Sequence, residues 1–320
     1  MFQLDKLPTV VEDEYIRRFL PKLENRIKNG NKDSRLSCKQ KSVLLPKWKE
    51  ELPDETILKK LLVGNPNEIK SLNDELMDKM VGIRTSRNKL QKKLLLIFDF
   101  ERVFDSSKRN SYWLAQIIGR NTCTYCNRVY TFTVIHGKGK NDSERIARPT
   151  FDHWFPKDKY PLLSLSLYNL IPSCPICNSS VKGNTYFSLD KYIHPYVYES
   201  GHPDFKFVPD VTIDEHPKWS VRIEREAGSK EDNTIKAFAL DDMYKMHGPL
   251  EVTDLMMFKQ NYPEYYLNTL VDKVINDSKG KITPADAYRM LFGTEIDSKH
   301  FLDRPLSKMK HDLLHYIGVI

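Results

Sequence analysis

The sequence predicts an α+β protein in which a small strand-containing core lies between two mostly helical regions. Apolar residues recur at helical spacing over residues 1–105 and over most of 201–320, whereas β-branched and aromatic runs occur in 106–200 together with two Cys-x-x-Cys pairs. We therefore expect three regions with these boundaries: a helical N-terminal region, a core built around the cysteine pairs, and a C-terminal region that begins mixed and ends helical.

Helical periodicity is clearest near the start of the chain. Tyr15, Phe19 and Leu23 fall on one face of the first predicted helix, and Pro21 within it is expected to kink or split it. Asp54 is a suitable N-cap for the second helix. The helices predicted up to the core span 12–29, 54–63, 67–81, 87–104 and 110–118.

The character of the sequence changes at Cys123. The run Val129–Ile135 is β-branched and aromatic and predicts a strand, and Pro149–His153 predicts a second, shorter one after a polar turn. Two more strands are expected at Phe205–Val208 and Trp219–Glu226. The remaining C-terminal segments are expected to be helices over 233–246, 252–276, 284–291 and 306–317.

Composition indicates a soluble globular protein. Of the 320 residues, 40% are hydrophobic and 29% are charged, and the net charge is +7. The longest apolar run, Leu94–Phe98, is far shorter than a bilayer span, and no basic segment leads into an apolar one at the N-terminus. We therefore expect a cytoplasmic protein without a membrane segment. The positive charge permits a polyanionic partner but does not require one.

The cysteines predict a metal site. Cys123 and Cys126 form one Cys-x-x-Cys pair, and Cys174 and Cys177 form the second. A tetrahedral zinc ion takes four such ligands, two from each turn. A redox dithiol is the alternative reading of one pair, but two separate pairs favour structural zinc. The fifth cysteine, Cys38, is expected to be a free thiol.

Around the second pair the residues follow a recognisable order. Asp152 and His153 end a predicted strand, Asn169 precedes Cys174, and Asn178 directly follows Cys177. This order resembles the HNH (ββα-metal) endonuclease family over about residues 119–200. The resemblance implies a ββα-metal core, stabilised by the four-cysteine zinc site, that hydrolyses phosphodiester bonds.

Within that resemblance each residue type suits a role. Asp152 and Asn178 offer hard oxygen ligands for a catalytic Mg²⁺ or Mn²⁺ ion. His153, with an ordinary pKa near 6.5, suits a general base. The resemblance implies that Asn169 orients the His153 ring through a hydrogen bond. The alternative is that the same residues belong to a zinc-stabilised domain that binds nucleic acid without turnover.

Basic residues are concentrated in the core. Residues 120–189 contain nine Lys and Arg against four Asp and Glu, an excess of five positive charges. Such an excess favours a surface that grips a phosphate backbone, although solvated loops explain part of it. The candidates for backbone contact are Lys157, Lys159, Lys182 and Arg128. Lys182 lies one helical turn after Asn178, and a merely solvated lysine is its alternative.

A closer resemblance covers Asp152–Lys157 and Tyr160–Cys174. These segments are similar to HNH proteins of bacterial antiphage systems, of the Septu type and associated with retrons, several of which act beside an ATPase. The resemblance implies a defence role. DNA is the leading hypothesis for the substrate, with an RNase as the alternative. We expect the segment Leu255–Val274 to form part of a self-contained core and the apolar C-terminus to dock on the protein. The alternative is that part of this surface binds a partner ATPase or a second copy of the chain.

Overall fold

In the residues that it describes, the computed structural model consists of helices and three small antiparallel sheets, which confirms the α+β class. Among the described helices, none combines the length and apolar character needed to cross a bilayer. The described residues are 2–31, 53–81, 86–105, 109–136, 145–183, 185–197, 204–213, 218–261, 269, 273 and 283–320.

The described part of the N-terminal region has four α-helices, close to their predicted bounds: α1 Thr9–Asn29, α2 Glu55–Val63, α3 Pro66–Val81 and α4 Arg87–Ile97. Pro21 lies inside α1 without dividing it. The Asp54 side chain caps α2 by accepting from the Ile57 amide at 2.8 Å, as predicted. The predicted helix 87–104 ends early, because the Asp99 side chain accepts from the Arg102 amide and a separate π-helical turn follows at Glu101–Asp105.

Helix α5, Arg109–Ile118, leads into the core region. Strands β1, Val134–Ile135, and β2, Arg145–Ala147, form one hairpin, and β3, Thr150–His153, pairs antiparallel with β4, Leu170–Ser173. A π-helical turn, Ile176–Val181, follows β4. The strand predicted over 129–135 is wrong in its first part, because Tyr130 forms a bridge with Thr122 and not with the β2 strand.

The C-terminal region begins with a hairpin of β5, Phe205–Val211, and β6, Trp219–Arg225. The helix predicted over 233–246 is two helices, because Ala239 adopts a left-handed conformation between them. Beyond Asn261 the helix predicted over 252–276 lies almost entirely outside the described residues. The helices here are α6 Lys230–Ala237, α7 Leu240–Lys245, α8 Thr253–Asn261, α9 Pro284–Phe292 and α10 Ser307–Tyr316.

One hydrophobic core connects the helical regions to the β3–β4 hairpin. Tyr15 of α1 donates a hydrogen bond to the Leu165 carbonyl at 2.8 Å, and Ser166 donates to the Leu61 carbonyl of α2. At the other end of the chain, α10 packs against β5, and Ile317 and Val319 are buried. The apolar C-terminus is therefore docked on this core, as predicted.

Candidate functional site

Two tight turns bring the four cysteines of the core together. The Asn127 amide donates to the Cys123 carbonyl at 2.8 Å, which closes the first turn. In the second turn the Cys177 amide donates to the Cys174 sulfur at 3.4 Å. All four sulfurs are buried and lie within 4.8 Å of one another, and none of them forms a disulfide. The cluster could hold a metal ion such as zinc, as predicted.

The chemistry of the cluster fits a cation. Burial raises the pKa of the Cys123 thiol well above its usual range, so a thiolate there needs a positive charge beside it. Sulfurs around a tetrahedral ion with bonds near 2.3 Å lie about 3.8 Å apart, which is compatible with the observed spacing. Cys38 lies outside the described residues.

Hydrogen bonds fasten the first cysteine turn to distant parts of the chain. Asn127 has a left-handed backbone conformation, and its side-chain amide donates to the carbonyls of Phe301 and Arg304. Tyr244 donates to the Cys126 carbonyl, and the Thr124 amide donates to Pro172 of β4 at 3.3 Å. The cysteine cluster is therefore a junction between the β3–β4 hairpin and the C-terminal region.

Beside the cluster lies a cleft of about 380 Å³. The hairpin supplies Asp152 and His153 to its wall, and the π-helical turn supplies Asn178. Three of the four predicted catalytic residues therefore share one cavity. The other lining residues are Phe100, Glu101, Phe151, Pro156, Lys157, Asp158, Lys182, Gly183 and Tyr186.

Asp152 is buried and already paired. Lys182 Nζ lies 2.6 Å from Asp152 Oδ2 and 2.6 Å from the His153 carbonyl oxygen, and the Tyr125 hydroxyl also donates to Oδ2. Both of these side chains donate to Oδ2, and neither donates to Oδ1. Burial lowers the pKa of Lys182, while Asp152 raises it.

The alternative that Lys182 is merely a solvated lysine is wrong. Its ammonium group is buried in the pair with Asp152. The cause is local backbone geometry, because the Lys182 amide bonds to the Cys177 carbonyl five residues back, as in a π-helix. The wider turn places Lys182 towards the hairpin and not towards solvent.

His153 is held by two neighbours. Its Nε2 lies 2.9 Å from the Ser164 carbonyl oxygen, which only accepts, so Nε2 carries the ring proton and Nδ1 has the lone pair. The Phe100 ring meets the imidazole edge to face at 4.6 Å between centroids. Burial lowers the pKa of His153 to about 4, below the ordinary value assumed from the sequence, and the ring is neutral at pH 7.

Asn169 does not bond to the His153 ring, so that expected contact is wrong. Its Oδ1 accepts from the Phe155 amide at 2.7 Å, and its Nδ2 donates to the carbonyls of Phe155 and Leu163 at 3.1 and 2.9 Å. The buried amide therefore closes the loop that precedes Ser164. Asn169 orients His153 indirectly, through the loop whose Ser164 carbonyl binds the imidazole.

Asn178 is placed by the cysteine cluster. Its amide donates to the Cys174 carbonyl at 3.1 Å, and it directly follows Cys177. The side chain is half-buried at the wall of the cleft. Any ion that orders the four sulfurs therefore also fixes where the Asn178 amide lies relative to the hairpin.

The other basic candidates have different surroundings. Lys157 lines the cleft and pairs with Glu101 at 2.6 Å. Lys159 is exposed, and its ammonium lies 4.9 Å from the centroid of the Tyr186 ring at the cleft. Arg128 instead donates to His247 at 2.9 Å and does not line the cleft.

Two lining residues come from a region with no predicted role in the site. Phe100 and Glu101 belong to the segment after α4 and contact His153 and Lys157 from outside the hairpin. No local pattern marks them, because both contacts join residues more than 50 positions apart. Comparison with protein-family models, curated proteins and solved structures finds no match to this chain.

Proposed function

We propose that this chain is a metal-dependent endonuclease of the HNH (ββα-metal) type that hydrolyses phosphodiester bonds, with DNA preferred to RNA. One observation carries the proposal: an antiparallel hairpin followed by a helical turn presents Asp152, His153 and Asn178 to one cleft beside a four-cysteine cluster. The combination supports a scaffolded hydrolytic centre, since a hairpin and a single turn are too small to hold such geometry alone.

Zinc at the cysteine cluster has a structural role in this proposal. The four cysteines leave no open coordination position, which is typical of structural zinc sites. The cluster joins the turn that bears Asn178 to the segment that bears Tyr125, and Tyr125 in turn bonds Asp152. Zinc would therefore align both sides of the cleft without contacting the substrate.

Asp152 and Asn178 are the residues that would hold a catalytic Mg²⁺ or Mn²⁺ ion. A carboxylate and an amide carbonyl are hard oxygen donors, and these ions complete their shells with water and substrate phosphate. Asp152 Oδ1 is available for this because the Lys182 and Tyr125 contacts use Oδ2. When bound, such an ion supplies charge neutralisation on the phosphate and the leaving oxygen.

His153 supplies the proton acceptor. The Ser164 carbonyl holds the proton on Nε2, so Nδ1 has the lone pair that can take a proton from an attacking water. Phe100 packs against the ring and limits its rotation. Asn169 supports this arrangement by closing the loop before Ser164.

Lys157 and Lys159 are the residues proposed to contact the nucleic-acid backbone. Lys157 lines the cleft, and its Glu101 partner is largely exposed, so a phosphate can replace it at little cost. Lys159 lies at the rim, beside Tyr186. Contacts of this kind position a substrate without reading its bases.

A purified-protein assay tests the proposal. Plasmid DNA and tRNA are incubated with the full chain in Mg²⁺, Mn²⁺ or EDTA, and the His153→Ala variant prepared in parallel controls for contaminating nuclease. We expect cutting of plasmid with either metal, none in EDTA, and far slower cutting by the variant. Cutting of tRNA alone would identify an RNase instead.

A second candidate is a zinc-stabilised subunit that binds nucleic acid without turnover. The buried Lys182–Asp152 pair favours it, because an ammonium already neutralises the carboxylate proposed as a metal ligand. The two candidates differ in one measurement. Metal-independent binding of plasmid, with no cutting in Mg²⁺ or Mn²⁺, would identify the binding subunit.

A role in antiphage defence rests on the sequence resemblance over Asp152–Lys157 and Tyr160–Cys174. A partner ATPase or a second copy of the chain would then regulate the nuclease. Plaque counts on cells that express the chain in its native operon, compared with the His153→Ala variant, test this role. Equal plaque counts would show that nuclease activity does not contribute to defence.

A further inference from the structure

Two aromatic rings are exposed together next to the core hairpin. Tyr130 and Phe132 are 50% and 46% exposed, and their rings stack with centroids 4.4 Å apart and planes 17° from parallel. Large apolar side chains are usually exposed singly, so a stacked and exposed pair points to a binding surface. Val134 and Ile135 of β1 and Ile146 of β2 are also exposed.

The backbone holds this pair in place. Tyr130 forms a bridge with Thr122, and the Thr131 amide donates to the Asn121 carbonyl at 2.7 Å. Thr131, which separates Tyr130 from Phe132 in the sequence, is buried. Tyr130 and Phe132 therefore extend from the same face of an extended segment. The rings are therefore presented to solvent by a fixed backbone, which reduces the entropy lost on binding.

A short path along β1 and β2 connects the aromatic pair to the strand that lines the cleft. The segment that bears the pair runs into β1, β1 pairs with β2, and β2 leads through Arg148 and Pro149 into β3. The Arg148 guanidinium lies 5.9 Å from the centroid of Phe151, a residue of β3 that lines the cleft. The stretches 128–136 and 145–149 contain three arginines and no Asp or Glu.

We propose that Tyr130 and Phe132 form a stacking platform for the bases of single-stranded nucleic acid, which leads the strand towards the cleft. That the nucleic-acid strand runs towards the cleft rests on the proposed nuclease function, whereas binding at the platform does not. Every base has a flat π-face that can continue an aromatic stack, and nearby arginines favour the phosphates. Bases in a duplex are already stacked on their neighbours and cannot offer that face.

A second copy of the chain is the competing occupant. A symmetric dimer through this surface would bring the same arginine-containing stretches of both copies together. Like charges across an interface oppose association. The charge of this surface therefore favours a polyanion over self-association.

Binding in EDTA tests the platform apart from catalysis. The full chain is titrated into fluorescently labelled oligothymidylate and, separately, a labelled duplex, with anisotropy as the readout. Because one stacked base contributes about 1–3 kcal/mol, Tyr130→Ala/Phe132→Ala should weaken single-strand binding roughly 5- to 150-fold. Duplex binding should change much less.

Matched variants keep the test specific. Tyr130→Leu/Phe132→Leu retains apolar bulk without a π-face and should still lose single-strand affinity. Ile213→Ala/Leu250→Ala removes exposed apolar residues elsewhere and should lose none. Phe132→Trp should retain binding, and oligothymidylate should quench its added indole fluorescence.

Three results would overturn the platform. In the first two, Tyr130→Ala/Phe132→Ala or Tyr130→Leu/Phe132→Leu binds single strands as tightly as the wild type. In the third, light scattering shows that the Ala variant has lost a dimer that the wild type forms, while its single-strand affinity is unchanged. The last result would assign the surface to self-association. If the platform binds single strands but the chain cuts nothing in Mg²⁺ or Mn²⁺, the nuclease proposal fails while the platform stands.

Discussion

At the scale of single residues, the buried pair of Lys182 and Asp152 is the most consequential contact of the cleft. Both side chains are almost fully removed from solvent, and their atoms lie 2.6 Å apart. A charge in such a position is stable only while its partner is present. The pair therefore joins the π-helical turn to the hairpin by an electrostatic contact that tolerates no single change.

We predict that Lys182→Met lowers the free energy of unfolding by about 3–5 kcal/mol, because it leaves the Asp152 carboxylate buried without a cation. Urea denaturation of the zinc-loaded protein, without Mg²⁺ or Mn²⁺, measures the change. The double variant Asp152→Asn/Lys182→Met removes both charges and should lose much less stability. Equal losses in the single and double variants would show that the pair is not coupled.

We predict that His153→Ala folds normally and binds nucleic acid but cuts it about 10²- to 10⁴-fold more slowly, as expected on loss of a general base. Circular dichroism, anisotropy and plasmid cleavage measure the three properties. His300→Ala, at an exposed histidine far along the chain, is the matched control and should cut normally. Wild-type cleavage by His153→Ala would contradict the proposed mechanism.

At the scale of elements, the cysteine cluster links two turns that lie almost 50 residues apart in sequence. Asn178 follows one turn directly, and Tyr125 lies within the other and bonds Asp152. Both walls of the cleft therefore depend on one cluster. An ion bound there would support both walls, so its loss should disturb the structure of the cleft.

We predict about one zinc ion per chain by elemental analysis, from the count of four thiolate ligands. Cys174→Ser should lower the melting temperature markedly and release zinc, because metal binding contributes to folding. Ser179→Ala, at an exposed position on the same turn, should do neither. A wild-type melting curve for Cys174→Ser would rule out the structural role.

Elements with strong periodicity could be predicted from the sequence, and elements defined by distant partners could not. Helices α1 to α3 match their apolar spacing, and the Cys-x-x-Cys pairs indicate their cluster because the ligand spacing is local. Strand β4 carries a continuous apolar run with Pro172, which has no strand periodicity. Asn169 was expected at the imidazole, but the nearer backbone groups of Phe155 and Leu163 take its hydrogen bonds.

At the scale of the whole molecule, the regions before and after the hairpin share its core. Glu12 of α1 accepts from the Tyr168 hydroxyl beside β4, and the Thr122 amide donates to the Leu302 carbonyl. Such contacts join residues over 150 positions apart and have no signal in local sequence. The regions before and after the hairpin therefore pack around it, whether or not a partner binds them.

We predict that Leu313→Ala costs about 2–5 kcal/mol of stability, because this residue of α10 is fully buried in the core. Tyr316→Ala, on the exposed side of the same helix, should cost little. Deletion of 308–320 should then yield unfolded or aggregated protein, as judged by size-exclusion chromatography. A well-folded and active deletion variant would contradict the assignment of α10 to the core.

The bonds of Asn127 have a consequence for the timing of synthesis. Its side-chain Nδ2 donates to the carbonyls of Phe301 and Arg304, and the Leu306 amide donates to the Asn127 backbone carbonyl. The first cysteine turn therefore acquires these partners only after the ribosome has added 174 residues beyond Asn127 to reach Phe301. A nascent polypeptide that has not yet reached Phe301 lacks these bonds, so one side of the cysteine cluster gains its support late, after the β3–β4 hairpin has already been synthesised.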